Sequence, residues 1–342
     1  MKIAIHVAKS GFSDRWIDYC EKQGIAYKAV DCYRSDILEQ LSDCDALLWH
    51  HNHAYPVDQL IAKPLLFSLE QAGKVVFPDF RTAWHYDDKL GQKYLFEALE
   101  LPAVKAWSFF SIKEAKAWVK ETSFPKVFKL RRGAGSRNVF LVKNKSQASK
   151  LIRKAFGRGF RQYDAWGAIK ENWRKLSLGK ANFKDLVKAI AHLWIPINLE
   201  KAIGRERGYA YFQEFIPDNT FDIRVIVIND KAFAIKRNVR KNDFRASGSG
   251  SIEYQKEHFS DEVVRMSFEM AEKMQSSCVG FDFVFDGKTP YILEVTYGFN
   301  KYVYDDCTGY WDRQLNWYPG PFNPYGWMID HVIEKINEQK NG

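Results

Sequence analysis

Two carboxylates in the C-terminal third stand where a hairpin would set them side by side. In GFDFVFDGKTPYILEVTYGFN (280–300), Phe281, Phe283 and Phe285 alternate with Asp282 and Val284, the period-two pattern of a strand. Asp286-Gly287-Lys288-Thr289-Pro290 is a turn signal, and Tyr291–Tyr297 alternates again. In a hairpin, residues whose numbers share one sum face each other, which sets Val284 against Ile292 and Asp282 against Glu294. Opposed side chains on one face lie roughly 5 Å apart at Cβ. Two like charges that close call for a cation, and oxygen donors suit magnesium. A plain hairpin with two acids on its wet face meets the same pattern.

Cations and glycines gather upstream. Lys126–Leu130 reads as a strand carrying Lys129, Asn138–Val142 as its return, and Gly133, Gly135 and Ser136 as the turn between them. A small-residue loop of this kind can turn backbone N–H groups toward a phosphate chain. It lacks GxxxxGK[ST] and is not a P-loop. Tyr209–Phe215 reads as a strand ending in Gln213 and Glu214, followed by Ile216-Pro217. Asp222–Ile228 carries Asp222 and Arg224, and Lys231–Val239 returns with Lys236 and Arg237. The loop after it, 243–250, mixes charge, hydroxyls and glycine. Folded together, these strands would place several cations over an anionic ligand; a solvated basic sheet edge is the other reading.

The remaining elements must hold these groups. Strands at Lys2–Val7, Ile25–Val30, Ala46–Trp49 and Val75–Phe77 alternate with helices at Gly11–Lys22, Ile37–Leu41 and Pro56–Gln71, which points to a small parallel α/β sheet. No GxGxxG follows the first strand. His50-His51-Asn52-His53 sits at the end of the third strand, where open α/β sheets take ligands; ligand contact, a metal and a plain polar loop are all open readings. Asp87–Leu99 is a helix bearing Lys89 and Lys93. Ser111 opens a capping box, and Ser146 is expected to cap the helix running to Phe156. Residues 157–208 are rich in Lys, Arg and Trp and should contain helices near Ala165–Lys175 and Phe183–Leu193. Phe259-Ser260 fits a staple and N-cap for a helix to Gln275. The tail carries Tyr304, Tyr310, Trp311 and Asp312, and Met328–Ile336 closes the chain as a helix.

The 342 residues suffice for two or three domains, and 46% hydrophobic with 27% charged residues indicates a folded, soluble protein. A formal charge of +9 favours an anionic partner, whether nucleotide, polyanion or membrane surface. Nucleic acid is not expected, because its basic residues would form an open stripe rather than converge on a cleft. The five scattered cysteines lack metal spacing and suit a reducing compartment, with the cytoplasm as the expected location. There is no signal-peptide body and no transmembrane stretch.

In order, these motifs resemble the ATP-grasp superfamily, nearest its RimK-like ligases, over about residues 1–300. The resemblance implies an α/β (α+β) ATP-grasp fold with an N-terminal parallel α/β pre-ATP-grasp domain. The expected division is 1–85, a central subdomain 86–208 with the glycine loop and a helical insert, and a C-terminal subdomain 209–342. It implies ATP and Mg2+ (or Mn2+), and activation of a carboxylate as an acylphosphate for attack by an amine. Lys89 and Lys129 resemble the phosphate-contacting lysines, Gly133, Gly135 and Ser136 the loop over the phosphates, and Gln213, Glu214, Phe215 and Ile216 the adenine and ribose hinge. Asp222 and Arg224 match Asp-Ile-Arg, Lys236 and Arg237 the basic pair near the transferred phosphate, and Asp282 and Glu294 the metal ligands. Glu294-Val295-Thr296 departs from the usual Glu-Val-Asn, which leaves a third ligand open, with Asn300 as a substitute. The tail is similar to ATP-grasp proteins that modify surface polysaccharide and other carbohydrates, which implies a uronic-acid acceptor. Its aromatic residues suit a sugar face or the core equally. A small-molecule kinase and a non-catalytic nucleotide-binding protein are the rival readings, and a homodimer is left open.

Overall fold

The structure is a computed structural model that describes residues 1–8, 10–133, 138–163, 165–177, 182–195, 197–239, 244–245 and 250–341. Gly135, Ser136 and most of the loop at 243–250 lie outside the described residues. In chain order come β1 (Ile3–His6), α1 (Ser13–Gln23), β2 (Tyr27–Val30), α2 (Ile37–Gln40), β3 (Ala46–Leu48), α3 (Pro56–Gln71), β4 (Val75–Phe77) and α4 (Phe80–Ala83). Then follow α5 (Lys89–Ala98), β5 (Ala106–Phe109), α6 (Ile112–Glu121), β6 (Lys126–Lys129), β7 (Val139–Val142), α7 (Lys145–Phe156), α8 (Ala165–Ser177), α9 (Phe183–Ala191), α10 (Asn198–Ile203) and β8 (Ala210–Glu214). The rest is β9 (Phe221–Ile228), β10 (Lys231–Asn238), β11 (Ile252–Glu253), α11 (Asp261–Met274), β12 (Cys278–Asp286), β13 (Thr289–Thr296), α12 (Lys301–Tyr304), β14 (Gly309–Asp312), β15 (Trp317–Pro319) and α13 (Pro324–Asn341).

Contacts divide the chain into two compact units. One holds Met1–Tyr86, Tyr94–Ala103 and the chain from Ile216 onward; the other holds Asp87–Lys93 and Val104–Phe215.

The first unit contains two sheets. β2-β1-β3-β4 is parallel throughout; β1, β3 and β4 are buried along their length, and β2 forms a half-exposed edge. Gly24 ends α1 with φ 67°, a left-handed cap whose N–H meets the carbonyls of Cys20 and Glu21. The second sheet runs β13-β12-β9-β10-β14-β15, with β11 on β10. One of its faces shares a core with Phe12, Trp16, Phe77 and Met328; Ile226, Ile228, Phe233 and Ile235 point there. The other face, with Ile223, Val225, Val227 and Phe281, packs on Val264, Phe268 and Ala271 of α11. Ser260 caps α11 by accepting from the Val263 N–H, as its sequence signature requires.

The β12–β13 hairpin keeps the Asp282–Glu294 pair but not the uniform register expected beyond it. Phe283 pairs with Ile292 and Val284 with Tyr291, so the expected Val284–Ile292 pair does not form. Leu293 is the extra residue of a bulge, which re-phases one strand by a single position.

The second unit is built on the antiparallel sheet β5-β8-β6-β7. Ala115 and Val119 of α6 and Ala148 and Ile152 of α7 cover Phe128 and Phe212. Asn144, not Ser146, caps α7. It is extended (φ −161°, ψ 168°) and accepts from the Gln147 N–H, whereas Ser146 already lies inside the helix. β8 pairs with β5 and β6, so Gln213 and Glu214 are carried by this sheet.

Candidate functional site

In the second unit, the start of α5 grips the base of the glycine loop. The Lys89 ammonium donates to the Gly133 carbonyl (2.9 Å), and the Lys89 N–H donates to the Arg131 carbonyl (3.0 Å). The Gly133 N–H donates to Asp87 (2.9 Å), and Arg131 forms an ion pair with Asp88. The Tyr209 hydroxyl accepts from the Arg131 N–H (2.6 Å) and donates to Glu206 (2.9 Å). Lys89 and Gly133, 44 positions apart, are thus joined directly. Asp87, Asp88 and Arg131 were not singled out from sequence; two acids just before the Lys89 helix were the available signal.

Lys129 is buried on β6, opposite Tyr211 of β8 and Val139 of β7. Gln213 is also buried, while Glu214 is half-buried and accepts from Lys126 Nζ (2.7 Å). Phe215 is the last residue of this unit and Ile216 begins a stretch of the first, so Gln213, Glu214 and Phe215 belong to one unit and Ile216 to the other.

In the first unit, register assembles a group of charges across four adjacent strands. Asp282 of β12 stands opposite Glu294 of β13 on one side and Arg224 of β9 on the other. Asp222 of β9 stands opposite Arg237 of β10. Facing residues share a sheet face. Arg224 donates through Nε and through Nη2 (2.7 Å) to Asp282, and Arg237 Nη2 lies 3.0 Å from the same carboxylate. Arg237 also forks onto Asp222, at 2.6 and 2.7 Å. The side chains of Asp222, Asp282 and Arg237 are 7–8% exposed and that of Arg224 18% exposed. Burial pushes the Asp282 carboxyl up, but Arg224 and Arg237 outweigh it and hold it well below the usual carboxylate range. Burial raises Asp222 against the pull of Arg237, and the neighbouring Asp282 charge adds to the rise.

The donor set fits a cation of one kind. Magnesium takes one or two protein carboxylates and completes its shell with water and phosphate oxygens. Asp282 and Glu294 are adjacent on one face, and a cation there would share the Asp282 carboxylate with Arg224 and Arg237. Among the described residues no group of three or more His, Cys, Asp or Glu forms an all-protein cage. The residues weighed for a third ligand are engaged locally. The Thr296 hydroxyl donates to the Gly298 carbonyl (3.0 Å) and accepts from its N–H (3.2 Å), and Asn300 caps α12 by accepting from the Tyr302 N–H (3.2 Å).

Lys236 and Arg237 do not form a side-by-side pair. They are consecutive on a strand and therefore alternate in face. Lys236 lies over the Phe221 ring, 4.9 Å from its centroid, and donates to Glu253 (3.1 Å). Glu253 also accepts from Asn238 (2.5 Å) and lies 2.7 Å from His258 Nε2. Sequence reading passed over Glu253 because β11 is two residues long and carries no periodic signal.

The tail aromatics divide. Tyr304 and Trp311 are core residues, packed on Phe233 and Phe299 and on Phe259 and Trp317 respectively. Tyr310 stacks on Tyr318 at 5.0 Å, and Asp312 accepts from Asn316 and Tyr318 to close the β14–β15 turn. The histidines after β3 are packed rather than displayed. His50 stacks on Phe12 at 3.8 Å, and Gly298 is needed beside it because a Cβ there would lie 2.7 Å from Nε2. His51 is 1% exposed, between Tyr86 and Tyr297, and neither ring nitrogen has a hydrogen-bond partner among the described residues.

The family model for the RimK-like ATP-grasp domain matches residues 197–302. None of the curated proteins compared matches the chain in sequence. Among solved structures, the chain is similar to a RimK domain ATP-grasp protein from Sphaerobacter thermophilus, at 14% identity, TM-score 0.55 and coverage of 97% of this chain and 100% of that one. It is similar to D-alanine–D-alanine ligase from Bacillus anthracis complexed with ATP, at 13% identity, TM-score 0.54 and coverage of 100% and 98%. It is also similar to the ATP-grasp ligase PsnB complexed with a minimal precursor, Mg and ADP, at 12% identity, TM-score 0.56 and 98% coverage of each chain. By fold, the chain has the mixed α/β architecture of these ATP-grasp structures, and its residues 197–302 match the RimK-like ATP-grasp domain.

Proposed function

We propose that the protein is an ADP-forming carboxylate–amine ligase working through an acylphosphate. The observation that supports this reading is the row Glu294–Asp282–Arg224 with Arg237 beside it, in which two neighbouring carboxylates lie next to two guanidiniums. Mg2+ (or Mn2+), held by Asp282 and Glu294, would neutralise phosphate charge. Lys89 and Lys129 would contact the phosphates, with Gly133, Gly135 and Ser136 over them and Gln213–Ile216 along the base and ribose. A carboxylate oxygen of the acceptor would attack the γ-phosphorus and ADP would leave. The amine nitrogen would then attack the acyl carbon, phosphate would leave, and the amine would lose a proton. Arg224 and Arg237 supply fixed positive charge for these oxyanions, with Asp222 orienting Arg237. Lys236 would join them only from the other sheet face. No protein nucleophile is required.

The acceptor we propose is a uronic acid or related carbohydrate carboxylate, and the donor an amino acid, on the likeness of the tail to carbohydrate-modifying ATP-grasp proteins. With Tyr304 and Trp311 in the core, the support from aromatic stacking rests on Tyr310 and Tyr318 alone. The test is a matrix of uronic acids and their nucleotide sugars against amino acids, read by phosphate release and product mass. The expected product carries the amine's mass less one water and forms only when both partners are present. A stable phosphorylated product without amine would make the protein a kinase. ATP binding with no turnover across a broad carboxylate panel would favour a non-catalytic nucleotide-binding protein.

Nucleotide binding is testable on its own. Calorimetry should show ATP binding that strengthens with magnesium. Lys89→Met should weaken it by about tenfold or more, because one charge-assisted contact is worth about 1.5–3 kcal/mol. Equal affinity in the variant would remove Lys89 from the phosphate site.

A further inference from the structure

We infer that the α8–α9 segment is a docking surface for an anionic lipid bilayer. This inference is independent of the ligase reading. Residues 157–208 contain eleven Lys and Arg against five Asp and Glu, so they carry six of the chain's nine net positive charges. Large apolar side chains stand in water within that basic segment. Phe183, Val187 and Ile190 of α9 are 63%, 48% and 40% exposed, Trp194 just beyond it 76%, and Trp173 of α8 62%. Spacings of four and three put Phe183, Val187 and Ile190 on one stripe of the helix. Leu186 and Ala189 form a second, buried stripe, and Lys184 and Lys188 are exposed on a third. α9 thus has a packed side, an apolar side open to solvent and a basic flank.

The occupant must supply an apolar phase and negative charge together. A second copy of the chain would bring an equal excess of positive charge to the contact. A nucleic acid or anionic polysaccharide supplies charge but nothing to receive Phe183 and Ile190. A helix ridge with lysines on its flank and exposed indoles beside it is the form that settles into the headgroup layer of a charged bilayer. No helix among the described residues is long and apolar enough to cross a membrane, so the contact would be superficial.

The test uses the full chain with phosphatidylcholine vesicles, alone or with about 30 mol% phosphatidylserine. Co-sedimentation and a blue shift of tryptophan emission are expected with the anionic vesicles only, and both should weaken as salt rises from about 0.05 to 0.3 M. Phe183→Ser/Ile190→Ser and Lys184→Glu/Lys188→Glu should each lower partitioning by about tenfold or more, since each basic residue near such a surface contributes roughly fivefold. Circular dichroism and ATP binding should match the parent; if a double variant fails to fold, Trp194→Ser reads the same face from a non-helical position. Absence of binding to anionic vesicles overturns the proposal, as does equal binding to neutral ones. Loss with the lysine variants but not the apolar ones would indicate a plain polyanion site. Self-association in sedimentation velocity that Phe183→Ser/Ile190→Ser abolishes would make a second copy the occupant.

Discussion

Asp282→Asn is expected to cost about 3–5 kcal/mol of unfolding free energy and to abolish turnover, whereas Glu294→Gln should lower turnover by about 10²–10³-fold and leave the melting curve in place. Both residues are assigned to one cation, yet they sit in different fields. Asp282 answers two guanidiniums, Arg224 and Arg237, inside the sheet. Neutralising it leaves Asp222 alone against two buried positive charges, and an unpaired buried charge is far more costly than a lost surface ion pair. Glu294 is half-buried at the outer end of the row, where water screens its charge more than it does that of Asp282, so neutralising it costs less. Urea denaturation and ATP turnover of the two variants, measured together, separate the roles. Equal stability of both variants would show that the arginines do not depend on Asp282. Unchanged turnover in Glu294→Gln would take Glu294 away from the metal.

Acid should destabilise the fold well before the carboxylates titrate. Burial holds His51 well below the ordinary imidazole range and His50 at about 3; burial also lowers His6 and His331. A base whose folded pKa is depressed leaves the unfolded chain with more bound protons between the two values, so stability rises with pH there. The loss therefore begins as pH falls below about 6.5 and continues toward the folded values. At pH 5, His51 alone should remove about 2 kcal/mol, from roughly 1.4 kcal/mol per pH unit. His50 should remove about 1–2 kcal/mol more, reduced because it keeps some solvent access. Asp282 is displaced in the same direction, from a lower starting value. Its contribution is present above the unfolded carboxylate value of about 4 and is lost only below it, so it adds to the histidine loss only at the acid end and not at pH 5. Unfolding free energies at pH 7.5 and 5.0 provide the measurement. A difference under about 1 kcal/mol would mean that these imidazoles are not sealed in the neutral form.

What could be read from sequence was what short-range pattern encodes. Alternation on either side of Asp286–Pro290 pointed to the Asp282–Glu294 pair, though the bulge at Leu293 is what brings the two opposite each other, and Ser260 with Phe259 marked the start of α11. Residues 75–77 formed a strand and 56–71 a helix at the expected bounds. The order of lysines, glycine loop, Asp-Ile-Arg and acidic hairpin pointed to the ATP-grasp fold, because each motif is local and their order survives without any knowledge of contacts. The Lys236–Arg237 alternation was legible too, since consecutive strand residues cannot share a face.

Tertiary structure decided what depends on partners distant in the chain. The lateral registry of β9, β10 and β12 made Asp222, Arg224, Arg237 and Asp282 one buried ion network, and no spacing within a strand specifies which neighbour it will meet. The bulge at Leu293 re-phased the hairpin beyond its acidic pair. Packing against Phe12, Tyr86 and Tyr297 turned His50 and His51 from a displayed polar loop into groups held neutral, and contacts with Phe233, Phe299, Phe259 and Trp317 drew Tyr304 and Trp311 into the core. Burial is a property of what covers a residue. The covering residues here come from up to some 250 positions away, as in the Tyr297 hydroxyl's hydrogen bond to the His51 carbonyl, so the sequence around each residue carried no sign of it.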